Sequence, residues 1–66
     1  MNGLWKAARR ITKISVGEDR VSILYRVTPN KTWAVAVNSE IVMKTSNAEM
    51  AMERYTMEIA KRLENW

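Results

Sequence analysis

Apolar and polar residues alternate through the middle of the chain, and the period changes near Ser46. In "RVSILYRV", Val21, Ile23, Tyr25 and Val27 alternate with Ser22, Leu24 and Arg26. A period of two built from β-branched and aromatic residues predicts a strand. "TWAVAV" repeats the pattern, with Trp33, Val35 and Val37 against Thr32, Ala34 and Ala36. Pro29 and Asn30 lie between the two runs and favour a turn, so residues 20–28 and 32–37 are expected to form a hairpin. Asn38-Ser39 allows a second tight turn into "EIVMK", residues 40–44. Upstream, "ITKISV" reads as a further strand, closed by a turn at Gly17-Glu18-Asp19. Together these make an antiparallel meander of three or four strands.

From Ser46 the period becomes helical. Ser46 and Glu49 have the spacing of a capping box, in which the serine oxygen accepts from the Glu49 N–H and Glu49 reaches back. The residues that follow lack Gly and Pro and favour helix from about 47 to 64. At about 100° per residue, Ala48, Ala51, Met52, Tyr55, Ile59, Leu63 and Trp66 share one side, the expected core face. Met50 and Met57 point the other way. Glu58 and Arg62 form an i, i+4 ion pair. The start, "NGLWKAARRI", reads either as an arm or as a short amphipathic helix, with Trp5 pinned to the sheet.

A sheet and a helix that each have one apolar face must cover each other. The fold class expected is therefore α+β, two-layered, with the sheet packed on one C-terminal helix. It is one domain: residues 1–10 an arm or short helix, 11–45 the sheet, 46–66 the helix. The inner sheet face is assigned Ile14, Val16, Val21, Ile23, Tyr25, Val27, Trp33, Val35, Val37, Ile41 and Met43. The outer face is assigned Lys13, Ser15, Ser22, Leu24, Arg26, Ala34, Ala36, Val42 and Lys44. There Leu24, Ala34, Ala36 and Val42 make a small apolar patch, to be covered either by Leu4 and Trp5 or by a partner.

Composition narrows the chemistry. The chain has 66 residues, no Cys and no His, so disulfides, thiolate or imidazole metal sites and Cys–His catalysis are excluded. Its two glycines, Gly3 and Gly17, cannot build a Gly-rich phosphate loop. Glu18-Asp19 reads as turn chemistry rather than a catalytic pair. No enzyme, cofactor or metal is expected. No apolar run reaches the ~20 residues of a membrane span, and charges interrupt the start where a signal peptide needs an apolar core. A cytoplasmic protein without a membrane partner is the expectation.

The net charge of +4 is uneven. Residues 1–31 carry seven bases and two acids, and residues 32–66 carry four bases and five acids. A basic N-terminal half is an electrostatic footprint for phosphates or an acidic partner. The residues assigned to it are Lys6, Arg9, Arg10, Lys13, Arg26 and Lys44. The run "TWAVAVNSEIVMKTSNAEMAMERY" resembles, in layout, the last hairpin and helix of the arm-site DNA-binding domains of tyrosine recombinases and of plant AP2-type domains. That resemblance implies a sheet set into the major groove, although "TWAVAV" presents Thr32, Ala34 and Ala36 where those sheets present Arg and Lys. The strand–strand–helix order is also similar to the second half of a double-stranded-RNA-binding domain, without its basic cluster at the helix start.

Two functional expectations follow. The first is a small binding module engaging nucleic acid or a nucleoprotein complex through the basic half and the outer sheet face. The second is an inhibitor or adaptor of phage or mobile-element type that caps a host protein. Its interface would be Met50 and Met57, since methionine adapts to protein surfaces, or the patch Leu24, Ala34, Ala36 and Val42. A homodimer through either surface belongs to this second reading.

Overall fold

The computed structural model describes residues 5, 8–27 and 30–64. It is an α+β fold, in which strands β1 (Arg9–Val16), β2 (Asp19–Arg26), β3 (Thr32–Val37) and β4 (Glu40–Thr45) precede helix α1 (Ala48–Glu64). The sheet is a four-stranded antiparallel meander in chain order, β1-β2-β3-β4. The Thr28-Pro29 part of the expected middle turn, and Lys6, Leu4 and Trp66, lie outside the described residues.

Both outer turns are two residues long. Gly17, at φ 64°, fills the first turn position between Val16 and Asp19, where a side chain would be strained. Asn38 and Ser39, at φ 53° and 73°, give the β3–β4 turn its two positive φ values. Asn38 also ties that turn to β2: its N–H donates to the Arg20 carbonyl at 2.8 Å, and its Oδ1 accepts from the Arg20 N–H at 2.9 Å.

The central register places Val21 opposite Val37, Ile23 opposite Val35 and Tyr25 opposite Trp33. Tyr25 and Trp33 stack with ring centroids 4.4 Å apart. Val21, Ile23 and Val35 meet Ala51 and Tyr55 of the helix, with Trp33, Val37, Val42, Met43 and Ile59 packed around them. Each fully buried Val or Ile contributes about 1.5–3 kcal/mol relative to exposure, so this small cluster carries much of the fold.

Several expectations are corrected. Arg9 and Arg10 are not on an arm: they begin β1, paired with Tyr25 and Leu24. A bulge between Arg10 and Thr12 breaks the alternation there and hides the strand start. A second bulge, between Val35 and Ala36 on the β3 side, shifts β4 so that Ile41 lies opposite Ala36 and Met43 opposite Val35. Val42 therefore packs with Met43 on the core side, and Ile41 takes the outer side assigned to Val42. The helix cap is Asn47 rather than Ser46: Asn47 Oδ1 accepts from the Met50 N–H at 3.1 Å, and Thr45 Oγ1 accepts from the Asn47 N–H at 3.0 Å. Asn is an equally good cap, and it sits one residue later.

The helix is also rotated from the expected face. Its buried residues are Ala51, Tyr55 and Glu58, while Ala48, Met52 and Leu63 are exposed. At about 100° per residue, the buried arc is turned by roughly 50° from the apolar arc. The cause is an ionic network. Glu58, only 2% exposed, accepts from Arg54 Nε and from Arg62 Nη1, each at 2.7 Å. Arg62 Nε then donates to Asp19 Oδ2 at 2.9 Å, and Asn38 Nδ2 donates to Asp19 Oδ1 at 2.9 Å. The C-terminal half of α1 is thereby tied to the start of β2 and to the β3–β4 turn. No helix among the described residues is long and apolar enough to cross a membrane.

Candidate functional site

The outer sheet face carries the basic residues. Its phase follows from β2, where Arg20, Ser22, Leu24 and Arg26 alternate with the core residues Val21, Ile23 and Tyr25. On β1, Arg10 lies opposite Leu24 and Lys13 opposite Ser22, which puts both on this face. Arg10, Lys13 and Arg20 surround a concavity of about 290 Å³ that is completed by Ser22, Asn38 and Ser39. The turn with two positive φ values brings Asn38 and Ser39 to its edge.

None of Arg10, Lys13 and Arg20 has an ion-pair partner among the described residues. The helix bases differ: Arg54, Lys61 and Arg62 all lie within 4 Å of Glu58 oxygens. Hydrogen bonds from Arg54 and then Arg62 hold the Glu58 carboxyl below the usual carboxylate range, against the opposing effect of burial. Asp19 is lowered chiefly by its hydrogen bond from Asn38, and next by Arg62. Glu58 and Asp19 in turn raise Arg62. The helix bases are thus paired with Glu58 and Asp19, whereas Arg10, Lys13 and Arg20 face outward without acidic partners among the described residues.

The remaining assigned bases are scattered. Arg9 lies opposite Tyr25, in register with the helix side of the sheet. Lys44 is exposed opposite Ala34 on β4, with two strands between it and Lys13 on β1. Arg26 lies under the Trp5 ring, its guanidinium carbon 4.6 Å from the ring centroid. This cation–π contact pins Trp5 to the outer face, as one of the two sequence readings has it. Arg26 Nε and Nη1 are buried there without a hydrogen-bond partner among the described residues. Arg20 was missed in the sequence assignment. The available signal was its phase, two residues before Ser22 on the same face.

The four-residue outer patch is not an exposed apolar surface. Ala34 and Ala36 are buried, Leu24 is half-buried, and Val42 belongs to the other face. Met50 and Met57 are each 48% exposed, as the helical spacing predicts, but Met52, assigned to the core, is 46% exposed. Ala48, Glu49, Met52, Glu53, Thr56, Met57 and Ala60 line a shallow groove along this exposed side. Among the described residues, no three acidic side chains converge to hold a metal ion. No protein family, curated protein or solved structure matches the chain.

Proposed function

We propose that this chain is a non-enzymatic binding module that engages the phosphate backbone of nucleic acid, bare or within a nucleoprotein, through its outer sheet face. The observation that carries the reading is the concavity bounded by Arg10, Lys13 and Arg20, three bases without acidic partners among the described residues. Ser22, Asn38 and Ser39 add neutral hydrogen-bonding groups beside them. Arg and Lys contacts of this kind position a protein on a backbone without reading bases. The neighbouring strand offers only Ala34, Ala36 and Thr32, which supports binding with little sequence preference.

The test is a salt series on mixed-sequence duplex DNA and on single-stranded RNA. Affinity for the duplex is expected to fall with a log–log slope of about 0.9 per phosphate neutralised. Replacing Arg10, Lys13 and Arg20 together by Ala abolishes the binding, whereas Lys61→Ala leaves it near the starting value. Absence of any mobility shift at ~50 mM salt refutes the proposal.

The second reading, a protein-directed adaptor or inhibitor, is supported by the exposure of Met50 and Met57. Replacing both with Glu leaves the fold intact and, on this reading, removes a partner retained by the wild-type protein. Unchanged retention excludes this helix face.

A further inference from the structure

Under plain alternation Arg10 and Lys13 would sit on opposite faces of the sheet. The bulge between Arg10 and Thr12 brings both to the outer face, Arg10 opposite Leu24 and Lys13 opposite Ser22. Along β2 the outer positions are Arg20, Ser22, Leu24 and Arg26. Each therefore has one base on it or directly across from it: Arg20, Lys13, Arg10 and Arg26 in turn. Successive positions are two residues apart, about 6.6 Å. Strand β1 holds no acid, and the acid of β2, Asp19, is bonded to Asn38 and Arg62. The first three bases of this row are exposed and line the concavity. The fourth, Arg26, is covered by the Trp5 ring, with its Nε and Nη1 buried. Trp5 itself is only partly buried.

Resting on the proposed reading of this face as a phosphate-backbone site, we infer that its ligand is a single-stranded nucleic acid, laid along β1 and β2 with a base stacked on Trp5. One charge per step, in a single row, suits a single file of phosphates. A duplex set against a sheet presents two files, one on each side of the groove, and calls for bases on both flanks. Strands β3 and β4 carry one base between them, Lys44. The middle of the face is Ala34 and Ala36, whose side chains offer no hydrogen bond to a base edge. Stacking needs none: every base has a face for an aromatic ring, and a basic track beside such a ring holds single strands without sequence preference. Arg26 fixes the Trp5 ring through the cation–π contact, which lowers the ordering cost of stacking on it. The row thus divides into three phosphate contacts, at Arg20, Lys13 and Arg10, and one stacking contact at Trp5.

Fluorescence anisotropy tests the inference with labelled oligonucleotides of one length: single-stranded DNA, single-stranded RNA, duplex DNA, and an abasic strand that keeps the phosphates and lacks the bases. The better of the two base-bearing single strands is expected to bind about tenfold or more tighter than the duplex. Its log–log salt slope is expected near about 2, from three phosphates at about 0.7 each. The abasic strand binds the wild-type protein about fivefold or more weaker, the loss of one base–aromatic stack. Trp5→Ala brings the base-bearing strand down to the abasic level and leaves the abasic strand unchanged, and Trp5→Phe restores most of the difference. Trp5 lies outside the buried cluster, so thermal melts of both variants should show the fold retained. A duplex bound as tightly as the better single strand overturns the inference and leaves the backbone reading standing. So does equal wild-type affinity for the abasic and base-bearing strands, or an equal loss on both with Trp5→Ala, which would make Trp5 a structural prop. No binding of any probe removes the backbone reading itself, and this inference with it.

Discussion

Ser39 holds a φ of 73° in the β3–β4 turn. For an L-residue other than Gly, Asn or Asp this region is strained, and glycine relieves the strain. Ser39→Gly is expected to raise stability by about 1 kcal/mol, read as a higher denaturation midpoint with an unchanged slope. The neighbouring Asn38 is a different case. Its φ of 53° is tolerated by asparagine, and its side chain bonds both the Arg20 N–H and Asp19. The sequence pair Asn-Ser was enough to place this turn, because few residues accept positive φ. It was not enough to show that Asn38 also anchors β2 and the acid that receives Arg62, since those contacts span nearly twenty residues. The same limit applies to Glu58. By sequence it is one half of a surface i, i+4 pair, and only the packing of Arg54 and Arg62 around it shows a buried carboxylate.

At the level of elements, the number, order and type of the strands and the helix were legible because the period changes cleanly from two to 3.6. What was not legible was phase. A bulge adds one residue to a strand and breaks the alternation where it sits, and Ile41 and Val42 exchanged faces for this reason while Met43 and Lys44 kept theirs. "EIVMK" is apolar at three successive positions, so its hydrophobicity cannot reveal the slip. The rotation of α1 has a different origin. Hydrophobicity alone selects the Met52–Leu63 stripe, but the ionic ties of Glu58 and Arg62 to the sheet end turn that stripe toward the β1 edge. The bulge gives a direct prediction. Val42→Lys places a charge against the core and costs about 2 kcal/mol, while Ile41→Lys, on the outer face, costs about 1 kcal/mol less. Equal effects, or the reverse order in urea denaturation, would restore the simple alternation. For the candidate site, the bias of charge toward the first half of the chain was readable. Its concentration at Arg10, Lys13 and Arg20 was not, because it depends on the β1–β2 register.

Across the whole molecule, charge is divided between a helix whose bases are neutralised internally and a sheet whose bases are not. Acid affects these two parts differently. Protonating all seven carboxylates takes the net charge from +4 to +11, since the eleven Lys and Arg remain charged. That adds general repulsion, which salt screens. The Glu58 network adds a specific loss. The folded pKa of Glu58 lies below its unfolded value, through Arg54 and then Arg62, so its contribution is complete above about pH 4.3. It is lost as pH falls through the lower, folded value. Asp19 follows the same sign, with its hydrogen bonds from Asn38 and Arg62. Arg62 is raised instead, so its contribution would fade only at alkaline pH above any ordinary working range. Glu58→Gln keeps the shape but removes the charge. It is expected to cost about 2 kcal/mol near neutral pH, because the hydrogen bonds lost are to charged groups. It is also expected to flatten the fall in stability between about pH 5 and pH 3. Glu40→Gln, an exposed acid without an ion-pair partner among the described residues, changes neither value appreciably. Thermal melts across this range, at low and at high salt, separate the two effects. Salt should recover the part of the acid destabilisation common to all three proteins, and leave the difference between wild type and Glu58→Gln. If salt erased that difference as well, the Glu58 network would be acting as a solvated surface pair.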